Sequence, residues 1–291
     1  MTFQVSFQNP YPDSSIKSFL EEQLLLPRKI RHLLRIKKHI TVNDQEVHWH
    51  NPIKQGDRVR LIFDSEDYPT KSLKAGNASL VECLYEDDHF IIVNKPEGIK
   101  THANQPDEIA LLNHVSSYVG QTCYVVHRLD KETSGVLLFA KNPFILPLIN
   151  RQLESKTLQR DYWAVVAGHF PKKVTYSDKI GRDRHDRRKR CIDPRKGQTA
   201  YTTVKWLKRL EANSLVNCQL KTGRTHQIRV HLSHHGFPII GDPLYQMPKQ
   251  HQRLMLHAHR LTLVHPLTLK TITAVATSAS FEKLLATKKQ R

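Results

Sequence analysis

From residue 80 onward the chain is a succession of short apolar, β-rich runs with little helical periodicity between them. The runs are VECLYED, HFIIVNKP, CYVVHRLD, GVLLFAKN, DYWAVVAG, TAYTTVKWL, LVNCQL and LTLVHPLTLKTITAVA. Helical spacing interrupts them at PFILPLINRQLES, RTHQIRVHLSHHG and SFEKLLATKKQ. Parallel strands need a long crossover, usually a helix, between each pair. No such regular alternation occurs, so the pattern predicts an α+β fold with a mixed, mainly antiparallel sheet. Neither GxGxxG nor GxxxxGK[ST] is present, which disfavours a nucleotide-dependent enzyme.

Residues 13–63 read as a smaller unit. In SSIKSFLEEQL a capping serine precedes Ile16, Phe19 and Leu20 at helical spacing, and Pro27 stops the pattern. RKIRHLLRIKKH follows, with Ile30, Leu33, Leu34 and Ile36 on one side and Arg28, Lys29, Arg31, Arg35, Lys37 and Lys38 on the other. ITVNDQEVHW predicts two strands joined at Asn43-Asp44, and GDRVRLIF predicts a third. Helix, basic helix, I-x-V-N-x-x-x-V and G-D-x-V occur in that order. This resembles the alpha-L RNA-binding module known from a ribosomal small-subunit protein, with Asp44 where that module usually has glycine. The polar stretch 64–79 reads as a linker. Two units are therefore expected, 1–76 for the module and linker and 77–291 for a catalytic domain, the second able to fold without the first.

Charge narrows the partner. Among 291 residues, 45 Lys and Arg face 27 acids, a net charge of +18, which points to a polyanion such as RNA. No apolar run approaches the roughly 20 residues of a membrane helix, and no signal peptide is read at the start. Cys83, Cys123, Cys191 and Cys218 are widely spaced, so neither a disulfide framework nor a zinc site is expected and a cytoplasmic setting is.

Two constellations carry chemistry. In HRLDKETSG, Asp130 lies between the runs YVV and VLLFA, where a tight turn would hold a carboxylate rigidly. Taken singly, an aspartate in such a turn is more often a backbone cap. In KTGRTHQIRVHL a strand runs through Thr-Gly into a helix. Arg224 is expected at the helix start, above Ile228 and Leu232, as a guanidinium suited to pair with a carboxylate.

Together these stretches resemble the RluA-type pseudouridine synthase family. HRLDKETSG matches its catalytic loop, and TGRTHQIRVHL followed by HGFPIIGDPLY its late active-site segment; NKPEGI and LQRDYWAVVAG fall in the right order. The resemblance spans roughly 80–280 and implies the pseudouridine synthase fold and a cofactor-free isomerisation of uridine in RNA. Asp130 is implied as nucleophile, Tyr162 as the ring that stacks on the uracil, and Arg224 as the partner of Asp130. Arg128 is implied to fill the space of the flipped nucleotide, and Ile228 to line the base pocket. His127, Thr133, Arg160, Thr225, His226 and Lys95 are further expected substrate contacts. Arg160 stands where the family usually has lysine, and Gln246 where glycine commonly follows Leu244-Tyr245.

Three further expectations follow. The basic run RDRHDRRKRCIDPRKG, 182–197, reads as a mobile loop touching phosphate. His231, His234 and His235 have metal-compatible spacing without carboxylate context, so no metal is expected. A monomer acting on ribosomal RNA is expected, with transfer RNA as the second candidate. A non-catalytic RNA-binding or ribosome-assembly protein and a His/Asp hydrolase are the competing classes.

Overall fold

Alternation in FQVSFQ turns Val5 inward and forms β1 (Phe3–Gln8), a strand the sequence reading passed over. The computed structural model describes residues 2–69, 72–105, 107–246 and 253–286, save the side chains of 284 and 286. After β2 (Ser14–Ser15), Ser15 Oγ accepts the Ser18 N–H at 3.2 Å and caps α1 (Ile16–Ser18), which runs on as a π-helical turn, Phe19–Gln23. In α2 (Arg28–Ile36), Ile30 and Leu34 are buried, but Ile36, expected inward, is 57% exposed at the last position of the helix. β3 (Ile40–Val42) and β4 (Gln45–Glu46) form the expected hairpin. Asn43 and Asp44 have φ of +52° and +64°, the two-residue turn that suits short polar side chains. Asp44 fills the usual glycine position by pairing with Arg58. β5 (Pro52–Ile53) and β6 (Arg58–Phe63) complete the unit, whose antiparallel sheet has the order β1-β6-β3-β4.

The catalytic unit begins with β7 (Glu82–Glu86), β8 (Phe90–Lys95), α3 (Leu111–Val119), β9 (Tyr124–Val125), β10 (Ser134–Ala140) and α4 (Ile145–Glu154). It continues through β11 (Gln159–Ala167), β12 (Lys173–Tyr176), β13 (Ile180–Arg182), β14 (Arg190–Ile192), β15 (Thr202–Leu210) and β16 (Asn213–Leu220). It closes with α5 (Gln227–His234), β17 (Leu256–Val264), β18 (Thr271–Val275) and α6 (Ala279–Ala286). The end of the helical pattern SFEKLLATKKQ lies outside the described residues. The main sheet runs β12-β15-β16-β11-β17-β10-β8-β7, with β18 beside β17 and β9 beside β10. Every pairing in it is antiparallel except β10 with β17. The fold class is as expected. Within the run 182–197, expected as a loop, Arg182 ends β13 and Arg190–Ile192 form β14, so 183–189 is the turn of a hairpin.

Side-chain alternation explains why HFIIV and GVLLFA read as unbroken apolar runs. Ile91, Val93, Leu137 and Phe139 face one core with Val115, Ile228 and Leu232. Phe90, Ile92, Val136 and Leu138 face a second core, with Leu148 of α4 and with Phe19, Leu61 and Phe63 of the N-terminal unit. That unit is thus the cover of one sheet face. The Phe63 and Phe144 rings lie 5.6 Å apart, both fully buried. Arg151 donates to the carbonyls of Glu22 and Gln23 at 2.8 and 3.1 Å, and Tyr11 Oη donates to that of Pro266 at 2.8 Å. The end of the polar stretch, at Gly76 and Asn77, is strapped down as well. The Gly76 and Asn77 N–H groups donate to Ser117 Oγ and His114 Nδ1, each at 2.8 Å.

Candidate active site

The loop carrying Asp130 spans 126–133 between β9 and β10, longer than the tight turn expected. Its rigidity comes from neighbours. Thr101 Oγ1 accepts the Leu129 N–H at 3.1 Å and donates to the Leu129 carbonyl at 3.0 Å. Lys95 Nζ donates to the carbonyls of Pro96, Lys131 and Thr133 at 2.9, 3.1 and 2.7 Å. Lys95 is fully buried and is therefore a brace of the loop, which corrects its expected role as a substrate contact. Burial pulls its pKa down to about 8. His127 Nε2 accepts the Leu138 N–H at 3.3 Å, and burial drops the imidazole to about 3, so it is neutral at pH 7. At the loop exit, Gly135 has φ +115°, and a Cβ there would meet the Ala258 carbonyl oxygen at 2.1 Å. Only glycine lets β10 cross β17 at that point.

The arginine that meets Asp130 is Arg229. Its Nη1 lies 3.1 Å from Asp130 Oδ2, while Nε and Nη2 donate to the two oxygens of Asp242, each at 2.8 Å. Arg229 is 1% exposed and Asp242 is fully buried, so this is a dry, bidentate ion pair with a second carboxylate at its edge. The expected pairing through Arg224 is corrected. The helix begins at Gln227, three residues beyond Arg224, so counting Ile228 and Leu232 from Arg224 used a turn that is not helical. Arg224 is exposed, and its Nε donates to the Thr199 carbonyl at 3.1 Å. All of Gln227 to Leu232 is buried, because α5 packs on the sheet below and against β14 as well. A helix covered on more than one side hides an arginine as readily as a leucine. Asp242 and Tyr245, which hold Arg229 and His226, were missed. GDPLY was quoted as a match, but nothing local tells that its aspartate is buried.

These groups open into a cleft of about 710 Å³. Its wall includes Asp130, Arg229, Tyr162, Ile228, His127, Thr133, Arg160, His226, Arg128 and Arg224. Tyr162 is 5% exposed, and burial raises its phenol pKa, leaving a neutral ring. A β-bulge breaks the pairing of β11 with β17 beside it. Gly223 lets the Thr-Gly turn close on Arg160, whose Nη1 would lie 3.2 Å from a Cβ there. Arg128 stands exposed at the rim. Thr225 is exposed and forms no part of this wall. Arg128, Lys156, Arg160, Lys221, Arg224 and Arg229 against Asp130 and Glu154 make the cleft cationic, and among the described residues no Ser or Cys lines it. His231 is buried on Thr202 Oγ1 and the Asp178 carbonyl, at 2.9 and 3.0 Å. Asp178, His234 and His235 instead bring three donor atoms within 4.8 Å of one another. Among the described residues no helix is long and apolar enough to cross a membrane.

Similarity to known proteins agrees with this geometry. The family described as RNA pseudouridylate synthase matches residues 89–234, and the one described as RluD ribosomal pseudouridine synthase N-terminal domain matches residues 3–59. An uncharacterized RNA pseudouridine synthase of Bacillus subtilis, YhcT, is 41% identical over 249 residues, covering 82% of this chain and 81% of its own. Ribosomal large subunit pseudouridine synthase D of Neisseria meningitidis serogroup A is 38% identical over 255 residues, covering 80% of this chain and 67% of its own. The solved structure of human RNA Pseudouridylate Synthase Domain Containing 1 superposes with a TM-score of 0.60 at 26% identity, over 71% of this chain and 86% of that one. The residues of the cationic cleft from Val125 to Arg229 lie within 89–234, the span that the RNA pseudouridylate synthase family matches. The chain belongs to the RNA pseudouridylate synthase family. Within it the chain is of the RluA type and carries the RluD N-terminal domain.

Proposed function

We propose that this pseudouridine synthase acts on uridines of large-subunit ribosomal RNA, with Asp130 as the attacking group. The Asp130–Arg229 pair in the cationic cleft carries the reading: a carboxylate is held at a cation in the wall of a cleft with room for a base. The relatives from Neisseria meningitidis and Nitrosomonas europaea that are named ribosomal large subunit pseudouridine synthase D support the choice of RNA.

The reaction breaks the bond from N1 of uracil to the sugar and makes one from C5, while the C5 proton is lost and N1 gains one. Attack on the sugar, attack on the base and removal of a sugar proton all need a charged carboxylate at that place. The target atoms lie inside the base stack, so the nucleotide is extruded first. Tyr162 receives the ring, Ile228 and Leu256 enclose it, and Arg128 enters the vacated space from the rim. The exposed cations of α2, within the unit 1–76, and the β13–β14 hairpin follow the phosphates on either side.

Asp130→Asn is expected to fold and bind RNA yet make no pseudouridine. Product above a trace from a clean preparation would remove Asp130 from the chemistry. Mapping pseudouridines in cells with and without the gene tests the substrate. A lost site in transfer RNA, with ribosomal RNA unchanged, would reassign it.

A further inference from the structure

His226 occupies the last position before α5 in a left-handed backbone, φ +58°. Its two ring nitrogens have different surroundings. Nδ1 lies 2.9 Å from Tyr245 Oη, and the same oxygen accepts the backbone N–H of Arg190, in the β13–β14 hairpin, at 2.8 Å. With one proton arriving from Arg190, the hydroxyl is free to direct its own to Nδ1. A neutral imidazole that accepts at Nδ1 carries its proton on Nε2. Nε2 is the nitrogen that faces Asp130, 3.7 Å from Oδ2.

We infer that His226 is a positioning residue for Asp130: Tyr245 and the hairpin hold it in the Nε2–H form, and seating RNA on the hairpin closes the gap to Oδ2. At 3.7 Å the contact is too long for a hydrogen bond. Catalytic contacts are often long until substrate binds. Closed, it would bind Oδ2 beside Arg229 and restrict the carboxylate to one rotamer. Asp130 and Asp242 face the imidazole as anions, Arg229 and Arg190 as cations, and Tyr245 as a neutral hydroxyl. Burial is the largest influence and lowers the His226 pKa, so the neutral form is present at pH 7. The hairpin thereby joins a charged surface, with Arg182, Arg184 and Arg195 beside Asp183 and Asp193 around a hollow of about 380 Å³, to the reacting carboxylate. This rests on the reading of Asp130 given above.

The test is single-turnover rate and RNA affinity across pH 5–9, on a stem-loop whose target uridine is already unpaired. The proteins are the full-length wild type, His226→Ala, His226→Gln, Tyr245→Phe and Asp130→Asn. His226→Ala is expected to be about 10- to 100-fold slower at saturating RNA, with affinity within about twofold. His226→Gln, whose Nε2–H overlays that of the imidazole, recovers most of the rate and loses the acid limb that His226 adds to the profile. Tyr245→Phe moves that limb to higher pH, because a hydrogen bond donated to Nδ1 disfavours the imidazolium. Equal thermal melts of the Ala and Gln variants separate this from a folding defect. Weakened affinity with an unchanged saturating rate in His226→Ala would make His226 a substrate contact and overturn the inference. So would equal slowing by Ala and Gln. Activity in Asp130→Asn would instead sink the reading of Asp130, a result recognisable apart from the His226 series.

Discussion

Arg224 and Arg229 carry the same charge five residues apart, and the fold gives them opposite fates. Arg229→Met would strand the fully buried Asp242 without its cation. The expected cost is about 3–5 kcal/mol in urea unfolding, together with loss of activity. Arg224→Ala removes an exposed side chain resting on one carbonyl, and stability is expected to stay within about 0.5 kcal/mol. Equal destabilisation by the two would refute the assignment of the pair. Lys95 gives a pH signature. Its folded pKa of about 8 lies below the ordinary 10.5, so between these values the unfolded chain binds more protons. The stability Lys95 contributes is therefore fully present above pH 10.5 and lost as pH falls to about 8. Subtracting the stability of Lys95→Met from that of the wild type at each pH isolates this slope. A difference flat from pH 8 to 10.5 would contradict it.

At the scale of elements, the catalytic loop is held at its exit by a strand crossing more than by its own turn. β10 meets β17 in parallel for two residue pairs only, Ser134 with His257 and Gly135 with Ala258. Ser134 Oγ is held there by His257 Nδ1 at 2.8 Å and by Arg253 Nη2 at 2.7 Å. Gly135→Ala adds a methyl at both a positive φ and a backbone carbonyl, so the expected cost is about 2–5 kcal/mol by thermal or urea unfolding. Activity should fall further than stability, since the displaced segment begins five residues from Asp130. A fully active, wild-type-stable variant would show that the crossing does not set the loop. The hairpin β13–β14 shows what hides an element from sequence reading. Its strands are three residues each, joined by a strongly charged turn, and their pairing is supported by α5 and Tyr245, which lie far along the chain.

At the scale of the whole molecule, the two units share a core. Removing residues 1–76 would expose Phe90, Ile92, Phe144 and Leu148 on one sheet face. The shortened chain is therefore expected to aggregate or melt well below the full protein, contrary to the separable domain that the polar stretch suggested. Phe63→Ala empties part of this shared layer, at a cost of about 3–5 kcal/mol. Calorimetry should then show one transition moving down as a unit. Two peaks, with only the first displaced by Phe63→Ala, would show that the units fold independently.

Some of this was decided locally. Period-2 runs, the Ser15 cap, the Asn43-Asp44 turn and the continuous apolar stretches of β8 and β10 were legible because each depends on near neighbours in sequence. HRLD and TGRTHQIR were legible as motifs, and with them the loop of Asp130 and the helix of Arg229. Which arginine turns inward was not, because that depends on what covers α5: the sheet, the hairpin and Asp242, thirteen residues beyond Arg229. The role of Lys95 was hidden for the same reason, since its three carbonyl partners include two from a loop more than thirty residues away. The sequence by itself determined most of the long strands, the class of chemistry and the loop that carries Asp130. Tertiary structure decided which charges are dry, because burial is a property of the layers that meet over a side chain and not of the residues beside it.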